Sequence, residues 1–419
     1  MSTRFYIETY GCTLNRHDSD IMRKVLVEHG FFEVDNENDA DVLIINTCGV
    51  KDATEKRIIH RLQNVKKPVV VCGCIATANA KLVRKFAPDS VIVSTKSIGY
   101  IPRAVDDAIA GLSTDYFGYD DKNKYMCAFC RLVESIAVCE GCKGSCTYCF
   151  TKIARPGLKS MLPEEILRRV RIADEAGVKE LRLTAQDTGA YGHDIGTRLT
   201  DLLEKIARMN VSLKIRVGMI NPQHLVRNME IIDIIRENDV FYKFYHIPVQ
   251  SGSDEILKKM NREYSVDDFM QVVRGIRKDR YSNIMTDVIV GFPGEREEDF
   301  RQTIELVKKI EPDTTNVSKF SPRPGTVAFN MDRIDGREVK KRSVEMSRIC
   351  DAISLERNCM WVGKVCSATV LEDGKGHVAR NDYYKHIVLG NSDINLGERV
   401  KVKIISGRVA HVKGKIIED

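Results

Sequence analysis

The chain has 419 residues, 43% hydrophobic and 30% charged, with a formal net charge of +6. That length exceeds one ordinary domain and favours two or three, and the composition excludes a disordered or collagen-like chain. So mild a positive surplus marks a solvated surface and by itself implies no nucleic-acid partner.

The amino terminus, MSTRFYIETYGC, enters a strand pattern at once, without the basic and apolar regions of a secretory leader. The longest apolar runs, such as VLIIN, fall far short of a membrane span. A cytoplasmic chain without a membrane partner, and a monomer, is therefore expected. In a reducing compartment, thirteen cysteines are better explained as metal ligands, redox thiols or packed thiols than as a disulfide framework.

Residues 1 to about 110 alternate strand and helix patterns: RFYIETY, a helix through DSDIMRKVLVEHG, VLIINT, a helix through ATEKRIIHRLQNV, PVVVCG, a helix through NAKLVRKF, and SVIVS. This order predicts a parallel sheet with helices on its faces, flavodoxin-like in shape. Residues 111 to 135, including TDYFGYDDKNKYM, read as a connection. Alternation then resumes with helix 163–176, ELRLTA, LTDLLEKIARM, LKIRVGM, a helix near 227–236, FYHIPV, helix 266–278, NIMTDVIVG, helix 297–309 and NVSKFS. Six such units suit a partial (β/α) barrel with function at the carboxyl ends of its strands. GFPGE at 291–295 lacks the lysine and hydroxyl residue of a phosphate-binding loop and reads as a tight turn.

Residues 337–360 read as a connecting helix, and 364–419 as short strands with glycine turns. Val400, Val402 and Ile404 share one strand face, Lys401 and Lys403 the other, which predicts a small β-barrel with a basic outer face. This segment has ten Lys and Arg against seven Asp and Glu, and Arg408 and Lys413 extend the basic set. That excess alone does not establish RNA binding.

Cys142, Cys146 and Cys149 form CxxxCxxC, close enough for three thiolates to hold one cluster. A 4Fe-4S cluster normally takes four cysteines, so three leave one iron open to an amino-acid chelate. The competing reading is structural zinc, with Cys139 as a fourth ligand and Cys127 with Cys130 as a further pair. Cys12, Cys48 and Cys74 each follow a predicted parallel strand. Strand ends of a parallel sheet share one edge, so these three thiols are expected to converge on a second cluster. Cys72, Cys350, Cys359 and Cys366 are expected to be buried thiols acting as small hydrophobes.

TYGCTLN, INTCGV, CGC, EGCKGSCTYC, HIPVQSGSD, TDVIVGFPGE and SPRPGT together resemble the radical methylthiotransferases, nearly end to end. Tyr148 matches the aromatic that commonly precedes the last cysteine in the radical S-adenosylmethionine superfamily. The final segment is similar to that family's TRAM domain, an RNA-binding β-barrel. LTAQDTGAYGHDIGT, RVGMINP and MNREY are most similar to the archaeal and eukaryotic branch acting on N6-threonylcarbamoyladenosine in tRNA.

The resemblance implies an α/β chain of three parts: a methylthiotransferase domain over 1–115, a radical S-adenosylmethionine barrel over 130–345 and a TRAM domain over 360–419. It implies two 4Fe-4S clusters, S-adenosylmethionine, an external electron donor and a tRNA anticodon stem-loop as partner. Cys142, Cys146 and Cys149 would hold the cluster that generates a deoxyadenosyl radical, and Cys12, Cys48 and Cys74 the auxiliary cluster that delivers methylated sulfur to C2 of the adenine. Tyr148, Arg155, Gln186, Asp187, Arg216, Gln250 and Ser251 are expected to contact cofactor or substrate, and Lys401, Lys403, Arg408 and Lys413 the RNA. Pro156 stands where the family usually has glycine, which stiffens the turn after Arg155. Two related targets stay open, isopentenyladenosine in tRNA and a ribosomal protein, as does a non-catalytic zinc and RNA-binding protein.

Overall fold

The structure is a computed structural model that describes residues 2–49, 52–125, 129, 131–373, 376–390 and 394–417. Cys127 and Cys130 lie outside the described residues. Among these no helix is long and apolar enough to cross a membrane.

The N-terminal sheet is parallel throughout, in the order β2-β1-β3-β4-β5-β6: β1 (Arg4–Thr9), β2 (Phe32–Glu33), β3 (Val42–Thr47), β4 (Val69–Cys72), β5 (Val91–Val93) and β6 (Asp115–Tyr116). Its central strand β3 is buried at every residue, as a strand covered on both faces must be. Helices Thr13–Glu28 and Ile101–Ile109 pack one face, with Ile21, Met22, Val25, Ala104 and Val105 in one core. Helices Asp52–Gln63 and Ala80–Phe86 pack the other through Ile58, Leu62 and Val83.

The second unit contains six parallel strands arranged as an arc: β7 (Val133–Ala137), β10 (Glu180–Thr184), β11 (Lys214–Val217), β12 (Phe244–His246), β13 (Asn283–Val290) and β14 (Thr314–Lys319). The two three-stranded sheets β11-β10-β7 and β12-β13-β14 meet at a bridge between Ile215 and Phe241. A small hairpin of β8 (Cys139–Glu140) and β9 (Lys159–Ser160) brackets the cysteine loop. Strand β7 falls in the stretch expected to be a connection. Its sequence VESIA hides a strand because the adjacent polar pair Glu134 and Ser135 breaks any alternation, although Glu134 is only 5% exposed.

Helix Gly336–Cys359 lies along β14 and leads into a closed five-stranded barrel of β15 (Val365–Glu372), β16 (Val378–Asn381), β17 (His386–Leu389), β18 (Arg399–Gly407) and β19 (Val412–Ile416). Val400, Val402 and Ile404 turn into its core and Lys401 and Lys403 turn out, as the alternation predicts. This barrel is tied to the second unit by buried ion pairs, Arg380 to Glu180 at 3.1 Å and Lys385 to Asp313 at 2.8 Å. Cys359 is exposed rather than buried, because it ends the helix on its outer side, whereas Cys72 and Cys350 are buried and Cys366 half-buried.

Candidate active site: two facing sets of cysteines

Strands β1, β3 and β4 are neighbours in the sheet, so the residues that follow them share its carboxyl edge. Cys12 precedes helix Thr13–Glu28, Cys48 follows β3, and Cys74 lies in the first turn of helix Gly73–Ala78. Fully buried Asn15 stands between them. Its Oδ1 accepts from the thiols of Cys12 at 3.9 Å and Cys74 at 3.8 Å, while its Nδ2 donates to the carbonyls of Tyr10 and Thr47 at 2.8 and 2.9 Å. Gly11 completes the corner with φ +108°, and a Cβ there would lie 2.6 Å from that of Cys48. Cys12 and Cys74 thus share Asn15 Oδ1, and Cys48 lies beside the Gly11 corner next to it.

On the barrel, Cys142, Cys146 and Cys149 sit on the loop between β8 and helix Thr151–Ala154. The Gly144 amide donates to Cys142 Sγ at 3.2 Å, and Arg262 Nη1 donates to Cys146 Sγ at 3.2 Å. Asp187, with no exposed surface, lies 3.8 Å from the Cys142 thiol and accepts from Asn221 Nδ2 at 2.6 Å and His224 Nε2 at 3.1 Å. Burial and then the neighbouring Asp187 push the Cys142 thiol up to about 12. Burial pushes the Asp187 carboxyl up, but the bonds from His224 and Asn221 outweigh it and hold the carboxyl below its ordinary value.

Half-buried thiols beside a carboxylate resist ionisation unless a cation compensates them, and coordinated iron does so. Among the described residues no three His, Cys, Asp or Glu side chains close on a single metal ion. Cys139 is 2% exposed and donates to the Asp187 carbonyl at 3.7 Å, so it is oriented by the barrel core.

The two sets face each other. A Cβ on Gly49, next to Cys48, would lie 2.3 Å from Cε1 of Phe150, next to Cys149, so only glycine permits this approach. Arg155, 1% exposed, reaches from the barrel into the first domain. It pairs with Asp18, lies 2.9 Å from Glu140 and donates to Asn15 Oδ1 at 3.2 Å. Burial pushes the Cys74 thiol up, and the Arg155 cation partly opposes that. Lys122 backs the same acids, 2.9 Å from Asp18 and 2.5 Å from Glu140.

A cavity of about 520 Å³, within the range of ligand pockets, opens beside Cys149 where the barrel meets the first domain. Tyr148, Cys149, Phe150 and Gln250 line it from the barrel, and Asp52 and Ala53 from the first domain. Gln186 accepts from the Gly141 amide at 2.7 Å, at the start of the cysteine loop. Two expected contacts are placed elsewhere. Ser251 is buried 3.3 Å from the Thr303 hydroxyl, and Arg216 stacks on Phe244 and Tyr384 with centroid distances of 4.7 and 5.4 Å, facing the C-terminal barrel. Arg262 and Asn15 went unassigned in sequence, although each lies in a recognisable segment, MNREY and TYGCTLN.

The arc of parallel strands with an open cysteine loop at its carboxyl edge defines a radical S-adenosylmethionine barrel. Residues 136–307 match the radical SAM superfamily and residues 4–94 match the uncharacterized protein family UPF0004. Among solved structures, the radical S-adenosylmethionine methyltransferase TsrM from Kitasatospora setae shares the fold, with a TM-score of 0.56 and 14% identity over 78% of this chain and 77% of that one.

Full-length sequence relatives are more specific. The probable threonylcarbamoyladenosine tRNA methylthiotransferase of Pyrococcus horikoshii is 39% identical over 99% of both chains. The human threonylcarbamoyladenosine tRNA methylthiotransferase is 32% identical over 99% of this chain and 74% of its own. The chain belongs to the threonylcarbamoyladenosine tRNA methylthiotransferase family.

Proposed function

We infer that this chain modifies tRNA, adding a methylthio group to C2 of N6-threonylcarbamoyladenosine beside the anticodon. The observation that carries this reading is the approach of two three-cysteine sets across Gly49 and Phe150, with a substrate-sized cavity beside Cys149. One set would suffice for radical cleavage of S-adenosylmethionine; sulfur insertion calls for a second.

Cys142, Cys146 and Cys149 would hold one 4Fe-4S cluster, and Cys12, Cys48 and Cys74 the other. When bound, the clusters and S-adenosylmethionine supply hydrogen abstraction, sulfur and the methyl group. The protein supplies placement. Arg262 and the Gly144 amide donate to thiols of the first set and orient them. Asn15 positions two thiols of the second, and Arg155 offsets their negative charge. Tyr148 packs edge-on against Phe292, with ring centroids 6.0 Å apart, and supplies an apolar wall to the cavity.

The parts we assign are 1–115 for the auxiliary cluster, 130–345 for the radical chemistry and 360–419 for RNA. Lys401, Lys403, Arg408 and Lys413 are all exposed on the last barrel, and Lys403 stands directly opposite Lys415 across the β18–β19 pair. Like charges so paired cost stability, and an RNA backbone would relieve that cost. We assign an unidentified external electron donor and a monomeric chain, and a cytoplasmic location suits the reducing conditions that these thiols need.

Mass spectrometry of tRNA nucleosides from a deletion strain tests the substrate. Loss of methylthio-threonylcarbamoyladenosine, with the unthiolated nucleoside accumulating, is expected; an unchanged level would refute the reading. Altered methylthio-isopentenyladenosine or a changed ribosomal protein would direct it to the other targets.

A further inference from the structure

The cavity beside Cys149 has a polar floor that the chemistry above does not use. His246 on β12, Asp287 on β13 and Asn316 on β14 occupy inward positions of three adjacent parallel strands. Along β13 the alternation is explicit: Met285, Asp287 and Ile289 are partly open, whereas Ile284, Thr286, Val288 and Val290 are buried against the outer layer. The three polar residues precede Gln250 and Phe320 along the chain direction. They therefore lie deeper in the arc than the carboxyl edge that carries the cysteine loop.

The hydrogen bonds fix what the floor offers. Asn316 Nδ2 donates to Asp287 Oδ1 at 2.7 Å, and His246 Nε2 lies 3.1 Å from Asp287 Oδ2. A carboxylate only accepts, so the amide must turn its nitrogen to Asp287 and its Oδ1 away. By the same reasoning Nε2 is the nitrogen that carries the proton in the neutral imidazole, the form in which Nδ1 is an acceptor. Asn316 Oδ1 and His246 Nδ1 have no hydrogen-bond partner among the described residues. The cavity is thus floored by two oriented acceptors, while Tyr148, Ile289 and Phe320 form apolar walls.

We propose that His246, Asp287 and Asn316 form the subsite for the N6-ureido edge of the target adenine and select it over adenines with an apolar N6 group. This deepens the reading of the site as a threonylcarbamoyladenosine enzyme and rests on it. A ureido link on N6 presents two N–H donors, which match two acceptors. An isopentenylamino group presents one N–H and an apolar branch, and would leave a buried acceptor without a partner. Sites built to hydrogen-bond a substrate group discriminate against analogues lacking it by as much as about 10⁴-fold. Asp287 acts as a positioning residue that locks the orientation of the other two.

The test uses the anaerobically reconstituted full chain and synthetic anticodon stem-loops bearing threonylcarbamoyladenosine, isopentenyladenosine or plain adenosine. Methylthio product and equilibrium RNA binding are measured for the wild type, Asn316→Leu and the near-isosteric Asp287→Asn. The wild type is expected to favour the threonylcarbamoyl stem-loop over the isopentenyl one by at least about 100-fold in kcat/KM. Asn316→Leu should reduce that preference to below about tenfold and weaken binding of the threonylcarbamoyl stem-loop alone. Asp287→Asn should reduce it less while the iron content stays at the wild-type level. Wild-type preference retained in both variants would overturn the subsite while leaving the substrate assignment intact. A wild type that prefers another stem-loop would overturn both.

Discussion

Replacing Arg155 by methionine removes the guanidinium that joins the barrel to the auxiliary cysteines while keeping most of the side-chain length. Arg155 and Asp18 are 1% and 2% exposed, and Glu140 is 2.9 Å from the guanidinium. Removing one partner of a buried ion pair costs about 3–5 kcal/mol, because the other is left charged and desolvated. Lys122 remains 2.9 Å from Asp18 and 2.5 Å from Glu140, so the lower end, about 3 kcal/mol, is expected. At about 2–4 °C per kcal/mol for a unit of this size, Tm should fall by about 6–12 °C. Burial pushes the Asp18 carboxyl up, and Arg155 with Lys122 outweighs it and holds the carboxyl below its ordinary value. A depressed folded-state pKa stabilises above the unfolded value and loses that contribution as pH falls, so the acid-dependent drop in Tm should be shallower in the variant. Calorimetry at neutral and acid pH, with Arg155→Lys as the charge-preserving control, checks both effects. A methionine variant that melts within about 1 °C of the wild type, with an unchanged acid limb, would refute this reasoning.

The other expectations concern metal content, packing, pH and RNA. Cys142→Ala and Cys12→Ala should each lower reconstituted iron from about eight to about four per chain by chemical assay. Gly49→Ala should force the Cys48 and Cys149 loops apart, since its Cβ would meet Phe150 at 2.3 Å; loss of methylthio product with both clusters still loaded would be its signature. Burial lowers the His17 pKa to about 4, so this residue stabilises the neutral fold above the unfolded value near 6.5 and loses that contribution as pH falls towards 4. His17→Leu should flatten the pH dependence of Tm across that interval. Replacing Lys403 and Lys415 with alanine should weaken stem-loop binding and reduce the slope of log K against log salt by about one to two, measured by fluorescence anisotropy.

Much of this arrangement was legible because the cysteines sit where strand patterns end. RFYIETY, VLIINT and PVVVC are strongly apolar and β-branched, so the edge gathering Cys12, Cys48 and Cys74 follows from their order alone. The C-terminal barrel was legible for a similar reason: ERVKVKII alternates without interruption. Strand β7 was not, because its polar pair Glu134 and Ser135 breaks the pattern, Glu134 being held by Arg131.

The same chemistry hides the lumen residues. TDVIVG and TTNVSK give no local sign that Asp287 and Asn316 stand opposite each other across a parallel pair. Arg216 shows how packing partners stay hidden in the sequence. It lies in a strand of the predicted barrel, but its neighbours Phe244 and Tyr384 come from 28 and 168 residues away along the chain, and only the docked C-terminal barrel determines its role. Arg155 was expected to contact cofactor or substrate; its placement between Asp18 and Glu140 depends on how two domains meet, which no local pattern records.

The division of labour between the two cysteine sets is tested most directly by anaerobic turnover with purified tRNA, quantifying deoxyadenosine and methylthio-threonylcarbamoyladenosine together. Cys142→Ala should form neither product, whereas Cys12→Ala should still cleave S-adenosylmethionine to deoxyadenosine but add no methylthio group. Methylthio product from Cys12→Ala, at a level near that of the wild type, would contradict the account.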